Sequence, residues 1–181
     1  MGAKNFKIIL VFAVMMSGLA AAAQDIAPIR LGTFQSPKGL GVCAEFQQDP
    51  SSFESVTFDA DIFGIIIGNY SRPGYKFTYT HDMIVDSYDR GDCALELYAG
   101  PGITAGYVRD INKTYSLVAG ISGVTGMRFL FERRLSVNLE IGADLAFTIS
   151  KDERYGTNDL SLYKTGLLHF FYPQIRIHWA L

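Results

Sequence analysis

Beyond its N-terminal segment the chain has no long hydrophobic run. The longest later apolar stretch, residues 62–68, holds seven, far below the roughly 18–20 that a membrane-crossing helix needs. A helical membrane domain is thereby excluded. A basic surplus is lacking as well: 16 Lys and Arg stand against 18 Asp and Glu, a formal charge of −2. Nucleic acid is bound through a basic face, so no nucleic-acid partner is expected. There are only two cysteines, Cys43 and Cys93, at a separation that matches no metal motif. No phosphate-binding glycine loop, metal-ligand cluster or catalytic triad appears, and the sequence calls for no cofactor and no metal. The three histidines, His81, His169 and His178, stand in no His-x-Ser arrangement.

What is present begins with an export signal over residues 1–23. Lys4 and Lys7 supply the positive start, residues 8–16 the apolar run, and Ala21-Ala22-Ala23 before Gln24 a small-residue cleavage site. The apolar run is too short for a retained anchor. Residues 24–181 then form one domain, and losing both lysines takes the formal charge from −2 to −4. Export permits a disulfide, yet Cys43 and Cys93 fall on opposite faces of their strands, and unpaired thiols are expected.

The clearest element is residues 135–147. Leu135, Val137, Leu139, Ile141, Ala143, Leu145 and Phe147 alternate with Ser136, Asn138, Glu140, Gly142, Asp144 and Ala146. Successive strand side chains point to opposite faces, so this strand has one apolar face and one carrying carboxylates. Thirteen residues exceeds the usual five or six of a soluble strand and suits a tilted bilayer crossing, which takes about 9–11. The same alternation recurs at residues 29–35, 40–47, 55–62, 75–81, 95–107, 115–131 and, at the end, 171–181. Turn chemistry separates these stretches at Ser36-Pro37-Lys38-Gly39, Asp49-Pro50-Ser51-Ser52 and Glu132-Arg133-Arg134. Pro101, inside a strand, asks for a bulge or a local gap in the ladder. Residues 82–91 and 150–166 read as polar connections, the latter the longest, and no helix is demanded after the signal. The expected fold is all-β, an eight-stranded antiparallel up-and-down transmembrane barrel.

Which face is outside follows from composition. The polar set contains Arg30, Glu45, Asp59, Asp61, Lys76, Glu96, Arg128, Glu140, Asp144 and Arg176, and the apolar set is nearly free of charge. A soluble carrier barrel would turn its apolar set inward. Here the apolar set ends in aromatics, with Tyr107, Tyr115, Phe147 and Phe171 at one end and Phe129, Phe131 and Trp179 at the other. Aromatic rings settle at headgroup level, so two belts bounding an aliphatic band point to a bilayer. From Phe171 to Trp179, at roughly 3.3 Å rise and a tilt near 40°, the band would stand about 20 Å high. The charged set would then line the lumen.

The stretch Tyr98-Ala99-Gly100-Pro101-Gly102-Ile103-Thr104-Ala105-Gly106-Tyr107 and the ending Phe171-Tyr172-Pro173-Gln174-Ile175-Arg176-Ile177 resemble those of small eight-stranded outer-membrane β-barrels of the uncharacterised kind found in Bacteroides-like bacteria. The resemblance spans residues 24–181 and implies an integral protein of the Gram-negative outer membrane. Its partners would be outer-membrane lipid and, during biogenesis, the barrel-assembly machinery. Such barrels usually end on an aromatic residue, whereas this chain ends Trp179-Ala180-Leu181, so Trp179 would take that part.

An eight-stranded barrel is just filled by its side chains. The inward acids and bases are therefore expected to pair into a plug. The role expected is structural or interactive at the cell surface, and not enzymatic. The loops at residues 69–74, 109–113 and 150–166 would meet a partner, with Lys151, Asp152, Glu153, Arg154, Tyr155 and Tyr163 as the contacting side chains. Two alternatives stand beside this: a narrow pore for small solutes, and a lipid-modifying enzyme using His169 or Ser161 with Asp159 near the rim.

Overall fold

The computed structural model describes residues 29–68, 72–110, 115–131, 134–151, 158–168, 171 and 173–181. The expected signal, residues 1–23, lies outside them. Nine strands follow in chain order: β1 (Ile29–Gln35), β2 (Leu40–Asp49), β3 (Ser52–Asp61), β4 (Gly74–Asp89), β5 (Cys93–Arg109), β6 (Tyr115–Phe131), β7 (Leu135–Lys151), β8 (Asn158–Leu162) and β9 (Gln174–Ala180). Two short helices interrupt them, α1 (Phe63–Ile66) and α2 (Lys164–Leu168). Each strand pairs antiparallel with its neighbour from β1 to β7, and β9 closes the circle between β7 and β1. The result is a closed eight-stave antiparallel barrel.

Nine strands make eight staves because the last one is broken. β7 pairs along its upper end with β8 (Phe147↔Leu162 to Lys151↔Asn158) and along its lower end with β9 (Leu135↔Trp179 to Glu140↔Gln174). Between those stretches the chain leaves the ladder as α2, which lies close against β7: a Cβ on Gly166 would come within 2.7 Å of the Asp144 carbonyl oxygen. Part of the expected loop 150–166 is thus strand and helix. Phe171 stands outside β9, so the wall height is properly read on β7 and not between Phe171 and Trp179.

The expected polar connection after His81 is also strand, since β4 runs on to Asp89. A bulge at Val85 marks its lower end, where the register shifts between Ile84 and Asp86. The ladder does open at Pro101. The β4–β5 register passes from Thr80↔Gly102 to Met83↔Ala99, leaving His81 and Asp82 without paired residues opposite Pro101 and Gly100. Close approach explains the neighbouring glycines. A Cβ on Gly100 would lie 2.2 Å from the His81 carbonyl oxygen, and one on Gly102 would lie 2.2 Å from that of Tyr79. Only a residue without a side chain lets β5 bend inward this sharply against β4.

Burial is inverted relative to a water-soluble domain. Among the described residues, 24 buried side chains are polar or charged and nine are apolar, whereas 30 large hydrophobic side chains are exposed. Leu139, Ile141 and Ile177 stand on the outside and Glu140 and Arg176 on the inside. No helix among the described residues is long and apolar enough to cross a membrane.

Candidate functional site

The interior is a column of polar groups in three layers. Register builds the lowest one. Arg30 faces Glu45 across β1 and β2, and Glu96 faces Arg128 across β5 and β6. Arg30 Nη1 lies 2.9 Å from Glu45 Oε1, and Arg128 spans the lumen to the same oxygen at 2.5 Å. Arg128 also pairs with Glu96 and donates to Gln47 Oε1 at 3.2 Å. Its guanidinium lies 4.0 Å from the centroid of the Phe53 ring, which in turn meets Tyr98 edge-on at 5.0 Å. Asn138 Nδ2 donates to Glu45 Oε2 at 3.4 Å. Glu45 is therefore a hub: one fully buried carboxylate serves two guanidiniums and an amide.

In the second layer Arg176 Nη2 lies 2.9 Å from Glu140 Oε1, and the Tyr98 hydroxyl donates to Glu140 Oε2 at 2.7 Å. Asp82, fully buried, accepts from Ser55 at 3.0 Å and from Thr80 at 2.8 Å. In the third layer Lys76 Nζ pairs with Asp144 Oδ2 at 2.7 Å, and Ser36 Oγ donates to Asp59 Oδ2 at 3.2 Å. A cavity of about 30 Å³ separates the second and third layers, bordered by Thr57, Thr78, Thr80, Ser122 and Gln174. It has room for a single water and polar walls to hold one.

Apolar packing narrows the upper mouth. Tyr163, between β8 and α2, is buried with Val108, Val118 and Ala146. Lys38, in the β1–β2 turn, lies 5.7 Å from the centroid of the Tyr163 ring and donates to the Arg109 carbonyl at 2.8 Å. Burial holds the Lys38 ammonium below its ordinary pKa and pushes the Tyr163 phenol well above its own. Asp110, after β5, caps the first turn of α2. Its Oδ1 accepts from the Thr165 amide at 2.9 Å and from the Thr165 hydroxyl at 2.7 Å, while Oδ2 accepts from the Lys164 amide at 3.2 Å.

Ser136, His178 and Glu45 come together near the lower end, where the Ser136 hydroxyl lies 3.2 Å from His178 Nδ1 and Glu45 Oε2 lies 3.9 Å from the same nitrogen. A proton relay needs nucleophile and acid on the two different ring nitrogens, so this trio has the composition of a relay without its geometry.

Arg30, Glu45, Asp59, Asp61, Arg128, Glu140, Asp144 and Arg176 are all buried inside the barrel, and Glu96 is half-buried on the same face. On the outer face Tyr107, Phe131, Phe147, Phe171 and Trp179 are exposed, and Tyr115 and Phe129 are half-buried. One expectation fails outright: Tyr163 is no surface contact residue but is buried at the mouth against Val108, Val118 and Ala146, because it sits where the chain turns inward from β8. Asp152, Glu153, Arg154, Tyr155 and His169, and the side chains of Lys151 and Asp159, fall outside the described residues. Ser161 is engaged with Thr148 Oγ1 at 2.8 Å. Both cysteines are free thiols, Cys43 buried and Cys93 half-buried.

Sequence reasoning passed over Asp82, the Tyr98–Glu140 bond, the place of His178 beside Glu45, and Asp110. For Asp82 a signal was available, since Lys76, Thr78, Thr80 and Asp82 keep one parity. No protein-family model matches the chain, and neither a curated protein nor a solved structure is found similar to it. The architecture and the polar interior define a class, the small closed β-barrel with a filled lumen.

Proposed function

We propose that the chain is an integral β-barrel of the bacterial outer membrane, with a structural or surface-interaction role and a lumen closed by paired charges. The observation that carries this reading is the inversion of burial. Water-soluble monomers rarely expose a contiguous apolar patch beyond a few hundred Å², yet here the wall is largely apolar and the charges along most of the staves are turned inward. On β7, Leu135 stands beside Trp179 and Phe147 lies twelve residues further up. At roughly 3.3 Å rise and 40° tilt that is about 30 Å, enough to place the ring belts at the borders of an apolar band of about 25 Å. In this reading the chain ends and the tight turns after β2, β4 and β6 face the periplasm, and the β1–β2 turn, α1, α2 and the longer loops face outward. Residues 1–23 serve as the export signal, Trp179 is read by the assembly machinery, and lipid is the principal partner. The role is not enzymatic.

The test is gel migration of the detergent-folded chain with and without boiling. A compact form that shifts on boiling is the expected result, and a chain that folds only in plain buffer would end the proposal. The cavity between the second and third layers favours one alternative, a narrow pore. Planar-bilayer recordings decide it: a closed lumen gives no steady unitary current.

A further inference from the structure

We infer that the outer rim around Tyr115 is a binding site for the anionic phosphate headgroup of a membrane lipid, held by Arg72 and Arg109 above a platform of tyrosines. The inference rests on the reading that the wall meets lipid, and adds which lipid chemistry the rim selects.

Geometry assembles the site from three parts of the chain. The Tyr115 hydroxyl donates to the Arg72 carbonyl, tying the segment before β4 to the start of β6. The Arg109 guanidinium lies 6.0 Å from the centroid of the Tyr115 ring, since Arg109 and Tyr115 are direct neighbours in the ladder. Arg72 through its backbone carbonyl and Arg109 through its guanidinium thus meet at one tyrosine. Below them the Tyr115 ring stacks on Tyr107 at 5.6 Å and 18°. Tyr107 faces Tyr75 in register, and Tyr75 stacks on Phe58 at 5.8 Å and 17°. Four outward rings therefore descend the wall from β6 to β3, with the Arg109 guanidinium and the exposed residue Arg72 at the top.

Charge distribution points the same way. Among the described residues at this end, the charges with solvent exposure are all cationic: Arg72 and Lys164 exposed, Lys38 and Arg109 half-buried. The acids of the same end whose side chains are described, Asp59, Asp61, Asp110 and Asp144, are buried. At the opposite end Asp49, Asp86, Asp89 and Asp92 are exposed against Arg90 and Arg134. Among the described residues one rim is basic and the other acidic, so only one suits an anion. A guanidinium presents a planar fork that matches phosphate oxygens. Rings lying beneath the fork, on an apolar wall, suit a ligand whose lower part is hydrocarbon, which is what a lipid offers and a free anion lacks.

The experiment is native mass spectrometry of the full chain folded in detergent, titrated separately with dimyristoyl phosphatidic acid and dimyristoylglycerol, and then challenged with inorganic phosphate. Phosphatidic acid should be retained in preference to dimyristoylglycerol. An Arg72→Gln/Arg109→Gln variant should retain about tenfold less of it, the loss of one charge-assisted contact or more, and Arg90→Gln/Arg134→Gln should match the parent. Equal retention by both double variants overturns the site. So does equal retention of dimyristoylglycerol, and so does displacement by inorganic phosphate at matched concentration, which would mark a free-anion site. A chain that never forms the heat-shifting species overturns the membrane reading and this site with it. A heat-shifting chain indifferent to phosphatidic acid overturns the site alone.

Discussion

Glu45→Ala should be among the most damaging single substitutions in the barrel. Glu45 Oε1 is shared by Arg30 at 2.9 Å and Arg128 at 2.5 Å, and all three side chains are buried. Removing the carboxylate leaves Arg128 with Glu96 as its acid and Arg30, among the described residues, with a 3.5 Å contact to Gln47. Breaking a buried ion pair from one side costs about 3–5 kcal/mol, because the remaining charge stays desolvated. An Arg30→Ala/Glu45→Ala double variant restores the balance, since Arg128 keeps Glu96. It should lose less than the sum of the single substitutions, with a coupling of about 2 kcal/mol. Urea unfolding from lipid vesicles measures this, and the chain carries its own reporter. Its one tryptophan, Trp179, stands exposed on the outer face and changes surroundings when the barrel unfolds. A loss below about 1 kcal/mol for Glu45→Ala would refute the reasoning, because so small a cost belongs to a water-filled, screened interior and not to a closed one.

Other consequences are open to test. Gly102→Val should abolish the heat-shifting form, since the new Cβ would sit 2.2 Å from a backbone oxygen, whereas Gly123→Val, on the outer face with nothing within 4 Å, should fold on the same gel. Asp110→Ala removes the cap of α2 and should cost about 1–2 kcal/mol, read as faster hydrogen exchange at the Thr165 amide; unchanged exchange would show that the mouth is kept narrow without it. Maleimide should label Cys93 and spare Cys43 in the folded protein, and a non-reducing gel should show no internal crosslink. A crosslink would contradict the inward and outward facing of the two thiols.

Alternation along a strand is a local property, so residue order alone decides which side of most staves is apolar and which is charged. The element 115–131 could be read to the residue because its outward positions, Thr125 apart, are aromatic, apolar or glycine from Tyr115 to Phe131. Legibility failed where that signal stops. Beyond Met83 the outer side of β4 carries Asp86 beside Val85 and Tyr88, and a strand without an apolar face reads as a loop although its ladder with β5 continues. At residues 158–168 the chain has too few alternating positions to declare a strand, and only pairing with β7 makes one.

Which charge meets which was decided by closure alone. Arg30 and Glu45 are cross-strand neighbours, but Glu45 and Arg128 belong to β2 and β6 and meet only because a curled sheet brings opposite walls within reach of two side chains. The rim arginines are gathered by the same means, from segments that the chain keeps far apart. Facing follows from a period of two residues, which any short segment contains. Partnership across a lumen depends on register and curvature summed around the whole circle, and no segment holds that information.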